Sequence, residues 1–150
     1  MNALLRACLV CLLLLASGCA SAGGQWVELA GQRYRVELAQ DDATRARGLM
    51  FRDAMAADHG MLFIHDYTEP QAYWMKNTRI ALDILYFDEQ RRLVAQQRDV
   101  PPCSAGDACQ SYPSGKPARY VLELNAGQAE RLGLRNGAAL SFGPDIPGLY

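Results

Sequence analysis

Short apolar runs, each bounded by turn-forming residues, recur along most of this 150-residue chain. Within several runs apolar and polar residues alternate, which is the pattern of a half-buried β-strand. Eight runs predict strands, at 26–29, 32–38, 61–65, 71–76, 82–88, 92–100, 120–124 and 138–142. So many short strands at close spacing favour a closed barrel or a strongly curled sheet.

Two short helices are predicted between the strands. An aspartate pair at 41–42 offers an N-cap for a helix over 44–47, and Gly48 ends that helix. A second helix over 126–132 is closed by Gly133.

The chain is expected to form one domain. It has no internal repeat and no linker long enough to split it, and its length suits a single core. The expected fold is mainly β (α+β): a single compact β-barrel-like domain of about eight short strands and two short helices over 26–143. An irregular tail at 144–150 follows.

The first residues predict an export signal rather than part of the fold. A basic start precedes an apolar run at 7–15, which is too short to span a membrane, and small residues then lead to Cys19. This pattern is typical of a lipoprotein-type signal peptide over 1–18, with lipid on Cys19 and a short tether over 19–25. Cleavage after Ala22 would instead release a soluble periplasmic protein. We therefore expect the protein in the periplasm or at a cell-envelope membrane surface.

The mature domain keeps one pair of cysteines, Cys103 and Cys109, because Cys8 and Cys11 leave with the signal. An even pair in an exported protein predicts a disulfide bond. Closing so small a loop is worth roughly 2–2.5 kcal/mol in the chain-entropy model. The spacing is wider than that of zinc-binding or redox-active cysteine pairs, so neither of those sites is expected here.

The balance of charge argues against one class of partner. The net charge is −1, with no basic excess and no acidic tail. Nucleic-acid binding depends on attraction between basic residues and phosphates. We therefore expect no nucleic-acid partner.

A cation interrupts the apolar, aromatic stretch AYWMKNTRIALDI at 72–84. If the two strands here pair as a hairpin around a loop at 78–81, Lys76 faces Asp83 on the side that also carries Trp74. The lysine would then make a cation–π contact with the Trp74 ring. This register is a hypothesis, because a slip of one residue would reverse the faces.

Two interpretations of the Lys76–Asp83 pair are open. It is either a structural ion pair, worth about 0–1 kcal/mol when exposed, or part of a pocket for a small ligand. A pocket needs a few polar groups that converge on a concave surface. The candidate ligand-binding residues are Trp74, Lys76, Asn77, Thr78 and Asp83, with Arg47, Arg52 and the cysteine loop at the rim.

Five motifs stand in order along the chain: RGLMFR at 47–52, GMLF at 60–63, WMKNT at 74–78, LDI at 82–84 and YVLELNAG at 120–127. Their order and approximate spacing resemble those of the family catalogued as domain of unknown function 192. The resemblance covers about 27–142 and implies a compact, β-rich, barrel-like domain, often found behind an export signal or anchor. It implies no reaction, because the family has no assigned biochemical role. The loop with the two cysteines is a departure that only some relatives carry.

Catalysis has little support in the sequence. The two histidines, His59 and His65, are explained by a turn and a strand end, and no serine has nucleophile-elbow spacing. If the chain is a small hydrolytic enzyme, Asp83 or Glu123 would act as acid or base, with Lys76 as an electrostatic stabiliser.

Four methionines, with the two histidines, raise the question of a copper site, since thioethers suit Cu(I). They form no tight cluster in the sequence, and methionine more often fills gaps in a core. We expect no metal and no cofactor.

The leading interpretation is an exported, lipid-anchored module of the envelope that binds a small ligand or acts as an accessory protein. The cation at position 76 suggests a small polar or anionic ligand, or an envelope glycan. One alternative is a small hydrolytic enzyme that uses Asp83 with Lys76. Another is a structural or partner-binding lipoprotein without a ligand site, whose protein partner the sequence does not identify.

Overall fold

The computed structural model describes residues 24–147, so the predicted signal peptide, Cys19 and most of the tether lie outside the described residues. The strands are β1 (Trp26–Leu29), β2 (Gln32–Ala39), β3 (His59–Trp74), β4 (Leu82–Phe87), β5 (Leu93–Val100), β6 (Ser111–Asn125) and β7 (Leu140–Phe142). The helices are α1 (Asp42–Arg47) and α2 (Gln128–Arg131), and a 3-10 turn spans Gly106–Ala108.

All seven strands belong to one curled sheet with the order β5-β4-β6-β3-β2-β1-β7. Only β2 and β3 pair in parallel. The outer strands meet at one end, where the N–H of Leu93 donates to the carbonyl of Ala138 at 2.9 Å and Arg92 forms a bridge with Ala139. The sheet curls until its edge strands, β5 and β7, touch at this end, but they do not pair with each other as neighbouring strands. The sheet is therefore a half-barrel, and the expected mainly β, barrel-like fold is confirmed.

Local signals explain the first three elements. Ala30 and Gly31 both have positive φ, 50° and 78°, and form the two-residue turn of the β1–β2 hairpin. The side chain of Asp41 caps α1 by accepting from the N–H of Thr44 at 2.9 Å. Gly48 ends this helix with a φ of 46°. The predicted hairpin and helix are confirmed.

The strand count is seven rather than eight, because the runs at 61–65 and 71–76 belong to one strand, β3. Two register shifts, between Ile64 and Glu69 and between Pro70 and Ala72, keep β3 paired with β6 along its length. β-bulges of this kind carry a strand through residues that break the alternating pattern. Residues 101–117 have no periodic pattern in the sequence, yet β6 begins within them, at Ser111.

Both faces of the central strands are buried. On β4, Leu85 and Phe87 pack into a first core cluster, whereas Ile84 and Tyr86 pack into a second cluster on the other face. A strand buried on both sides reads as a continuous apolar run, and all six residues of β4 are buried. Beyond β7, Ile146 also packs into the first cluster.

The hairpin predicted between 71–76 and 82–88 is wrong. β4 lies between β5 and β6, and the partner of β3 on that side is β6. Asp83 is therefore not opposite Lys76. It pairs with Leu124 and faces the first cluster, where it is fully buried.

Asp83 instead anchors two backbone segments. One carboxylate oxygen accepts from the N–H of Asp99 at 2.9 Å, and the other accepts from the N–H of Ala129 at 2.7 Å. These bonds attach the end of β5 and the start of α2 to β4. The two carboxylate oxygens satisfy backbone groups, so Asp83 has a structural role.

Within residues 24–147, no helix has the length and apolar character that a membrane-spanning helix requires.

We predict that Asp83→Asn destabilises the fold by about 1–3 kcal/mol. The amide nitrogen of asparagine cannot accept a hydrogen bond, so one of the two backbone N–H groups would lose its acceptor. Urea unfolding measures the difference. Glu28→Gln is the control, since Glu28 forms a surface ion pair with Arg33 whose loss costs at most about 1 kcal/mol. Equal stabilities of Asp83→Asn and the parent would show that the carboxylate is not an anchor.

Candidate functional site

Lys76 lies two residues beyond the end of β3, beside Trp74. Its Nζ is 4.8 Å from the centroid of the Trp74 ring, so the predicted cation–π contact is present. Its ion-pair partner is Asp107, not Asp83. The side chain of Asp107 is 87% exposed, which leaves this carboxylate free to exchange with solvent or with another anion.

The cysteine loop holds Asp107 at this position. Cys103 and Cys109 form a disulfide bond with a Cα–Cα distance of 6.0 Å, as predicted, and Asp107 lies in the 3-10 turn between them. The N–H of Cys103 donates to the carbonyl of Thr78 at 3.2 Å. The loop is therefore attached to the segment that follows β3.

A buried carboxyl group lies on the same face of the sheet. Glu123 is only 4% exposed and stands on β6 between Met61 of β3 and Ile84 of β4. Burial raises the pKa of Glu123 to about 8, so the side chain holds its proton at neutral pH. Burial also raises the pKa values of Tyr73 and Tyr86. Glu123 is ionised at the high pH at which a tyrosine loses its proton, and its negative charge then adds to both shifts.

Glu123 forms the floor of a cavity of about 30 Å³, which we call the central cavity. That volume is enough for about one water molecule. The walls come from α1, the segment after it and the end of β3. The lining residues are Arg45, Ala46, Arg47, Gly48, Leu49, Met50, Phe63, Tyr73, Trp74, Lys76, Thr78 and Glu123.

Two further cavities adjoin the central one. The Phe51 cavity, of about 350 Å³, shares Thr78 with it and is also lined by Asn77, Arg79 and Ser104. The Trp74 cavity, of about 240 Å³, shares Arg45, Ala46, Tyr73 and Trp74 with it and is also lined by Asp42, His65 and Gln71. Because neighbouring cavities share wall residues, we treat the three together as one groove.

Two strained residues border the groove. Phe51 has a φ of 63° and Asn77 a φ of 56°. Positive values are uncommon for any residue other than glycine, and they are rarest for a bulky one such as phenylalanine. The N–H of Phe51 donates to the carbonyl of Asn77 at 2.8 Å, which holds the two residues together. Strained backbone of this kind concentrates at functional sites.

The predicted site residues are only partly brought together. Trp74, Lys76, Asn77, Thr78 and Arg47 all line the groove. Arg52 does not, since its guanidinium makes two bonds to Glu37, at 2.5 and 2.9 Å. Asp83 lies on the opposite face of the sheet. Its proposed pairing with Lys76 is wrong because β4 pairs with β6 and not with β3.

From the sequence, Glu123 is only an alternative carboxylate, and Phe51, Arg79 and Asp107 are not predicted to lie at the site. A signal for Glu123 was present, because it is the one charged residue in the apolar run YVLEL at 120–124. The other three reach the groove through contacts between distant segments, for which the local sequence has no signal. Among residues 24–147, no group of three or more His, Cys, Asp or Glu side chains is placed to hold a metal ion.

Comparison with known proteins identifies the family. Residues 25–142 match domain of unknown function 192, described as "Uncharacterized ACR". The chain belongs to the DUF192 family. No curated protein matches this DUF192 chain.

Two solved structures are similar to this DUF192 domain, each with a TM-score of 0.72. One is a Sinorhizobium meliloti 1021 protein described as a "putative transcription regulator"; it is 39% identical, over 79% of this chain and 92% of that chain. The other is a protein of unknown function from Novosphingobium aromaticivorans DSM 12444; it is 32% identical, over 81% of this chain and 89% of that chain. Neither description supplies an activity.

We predict that Glu123→Gln stabilises this DUF192 domain at neutral pH. In the unfolded chain the carboxyl group ionises near its ordinary pKa of 4.5, whereas in the folded protein it ionises near 8. The folded state therefore holds the proton more tightly, and the free energy of unfolding falls as pH rises from about 4.5 to about 8. The amide has no such proton to lose, so the variant gains on the order of 3 kcal/mol over the parent at pH 7.

Urea unfolding at pH 4 and pH 7 measures this gain. The difference between Glu123→Gln and the parent is expected to be small at pH 4 and large at pH 7. Glu130→Gln, an exposed glutamate on α2, serves as the control and should show no such change. Parallel pH profiles for the parent and Glu123→Gln would show that the carboxyl group is not a buried acid.

Proposed function

We propose that this domain is a binding module of the cell envelope that takes a small anionic ligand in the groove at Lys76. The observation that carries the proposal is that two cationic residues, Lys76 and Arg47, line the same central cavity as the buried, protonated Glu123.

The chemistry of these donors favours an oxygen anion. Lysine and arginine attract carboxylate and phosphate groups, and the neutral Glu123 can donate its proton in a hydrogen bond to the same oxygen. Asp107 already places a carboxylate on Lys76 from a mostly exposed position. A ligand with a carboxylate could therefore replace Asp107 there without leaving a buried charge unpaired.

The energetics of Glu123 support a binding role. A carboxyl group buried without an ionic partner lowers stability at neutral pH, where an amide or an apolar residue would not. Residues that lower stability are often retained at functional sites because the function needs them. Glu123 fits that explanation, since it is buried and yet lines the central cavity.

A second candidate is a small hydrolytic enzyme that uses Glu123 rather than Asp83. A pKa of about 8 lies close enough to neutral pH for a general acid. Ser104 and Thr78 line the groove, but neither is hydrogen-bonded to a histidine among the described residues, since His65 is bonded to the Tyr73 hydroxyl at 2.9 Å. Turnover of an ester or cell-wall substrate that disappears in Glu123→Gln would favour the enzyme.

A role in DNA binding is not proposed. The description of the Sinorhizobium protein would suggest it, but the net charge of −1 gives this chain no basic excess with which to attract phosphates.

We predict that Lys76→Ala stays folded but loses its ligand. Because Asp107 is mostly exposed, loss of the ion pair costs only about 0–1 kcal/mol of stability. A thermal-shift screen of organic acids, sugar acids, phosphate and muropeptides tests binding, and an active compound should raise the Tm of the parent alone. Lys116→Ala, which changes the chain's other lysine outside the groove, should respond like the parent. A screen with no active compound would favour a structural or partner-binding lipoprotein.

The proposed location depends on the N-terminal sequence. The small residues before Cys19 support lipidation at that cysteine, and a tether over 20–25 would span at most about 20 Å. Such an anchor would keep the groove close to the membrane surface. Cleavage after Ala22 is the alternative, and it would give the same binding domain without an anchor.

We predict that labelled palmitate enters the protein in a bacterial host and that Cys19→Ala abolishes the label. The expected reason is that Cys19 becomes the acylated first residue after cleavage of the signal. Cys8→Ala is the control, because this cysteine lies within the signal and should leave the label unchanged. An unlabelled parent protein would favour cleavage after Ala22.

A further inference from the structure

Aromatic rings lie in the groove on both sides of Lys76. The exposed large hydrophobic side chains among residues 24–147 are Phe51, at 54%, Trp74, at 44%, and Tyr67. Phe51 lines one outer cavity and Trp74 lines the other, whereas Tyr67 lines none of the three. Exposed aromatic rings that cluster around cavities mark a binding surface more often than isolated ones do.

Each ring has charged and polar groups beside it. The Arg79 guanidinium lies 5.8 Å from the centroid of Phe51 and pairs with Asp53 at 2.8 Å. Asn77 and Ser104 share that cavity, and the Trp74 cavity contains Gln71 and Asp42. The groove thus offers apolar ring faces next to groups that can both donate and accept hydrogen bonds.

The backbone holds Phe51 in its exposed position at an energetic cost. A left-handed φ is unfavourable for phenylalanine, and asparagine adopts it more readily. The strain is not offset by burial of the ring, which remains more than half exposed. A ligand that covers the ring would provide the missing burial.

We propose that the groove binds an acidic sugar chain. The carboxylate of one sugar unit would replace Asp107 at Lys76, and the neighbouring units would stack on Phe51 and Trp74. This inference rests on the proposed binding of an anion at Lys76 and adds the identity of the ligand class. Sugar rings fit because one face carries C–H groups that pack on the negative face of an aromatic ring, while the edges carry hydroxyls.

Isothermal titration of the processed full chain, purified in detergent, tests the proposal with four probes. They are galacturonate, tetragalacturonate, neutral maltotetraose and tetraglutamate, and acetate and phosphate are titrated as small-anion controls. We expect tetragalacturonate to bind at least tenfold more tightly than galacturonate, because only a chain can place further sugar units beside the aromatic rings while one carboxylate lies at Lys76. Maltotetraose, which lacks the carboxylate, and tetraglutamate, which lacks sugar rings, should bind at least tenfold more weakly than tetragalacturonate.

Substitutions at the rings separate binding from folding. Phe51→Asn removes the ring but suits the left-handed backbone, so the variant should be at least as stable as the parent and yet lose most of the tetramer's advantage. Phe51→Asn should keep the affinity for galacturonate within about threefold, because Phe51 lines only an outer cavity. Trp74→Leu should weaken the tetramer and the monomer alike, because it also removes the ring beside Lys76. Tyr67→Ala should keep all affinities.

The outcomes distinguish the two proposals. If galacturonate binds and the tetramer binds no better, the sugar-chain inference is overturned and the anion site stands. If tetraglutamate binds more tightly than tetragalacturonate, the groove is a peptide site. If maltotetraose binds as tightly as tetragalacturonate, the ligand is not acidic. If neither galacturonate nor acetate nor phosphate binds, the anion site fails and the inference fails with it.

Discussion

The pairing of β3 with β6 is the constraint on which the rest of the structure depends. At one end the two strands form the centre of the sheet, between β2 and β4. At the other end they pair only with each other, from Glu69 to Trp74 and from Ser111 to Ala118. This extension carries Tyr73 and Trp74 to the face that holds Glu123, and the Tyr86 hydroxyl fixes it by donating to the carbonyl of Tyr112 at 2.5 Å. The groove exists because β3 and β6 stay paired beyond the region where β2 and β4 flank them.

Features that depend on neighbouring residues were predictable from the sequence. The β1–β2 hairpin, the cap of α1, the disulfide bond and the contact between Lys76 and Trp74 each join residues close in the chain. The mainly β fold followed from the alternation of short runs, although prolines and polar residues hid the continuity of β3 and β6.

Partners far apart in the chain were not predictable in the same way. Alternation shows which residues share a face of a strand, but it does not show which strand lies alongside. The hairpin hypothesis joined the nearest two runs and so placed Asp83 opposite Lys76. In the structure a segment some thirty residues later supplies Asp107 to Lys76, and α2 supplies a backbone N–H to Asp83. Of the residues predicted for the site, Trp74, Lys76, Asn77 and Thr78 therefore line the groove, whereas Asp83 lies on the other face, and a binding role stays a prediction.

Gly60 on β3 links the close packing of β3 and β6 to the shape of the groove, although glycine has no side chain that could contact a ligand. A Cβ atom at this position would lie 2.6 Å from the backbone oxygen of Glu123 and 2.7 Å from a methyl group of Leu124. Any larger residue must push β6 away from β3. Because the nearest atom is the backbone oxygen of Glu123, the displacement falls on the residue that forms the floor of the central cavity. Relatives that share this strand pairing should thus retain glycine here. A side chain at position 60, which itself lies outside the groove, would reshape the central cavity through the backbone of β6.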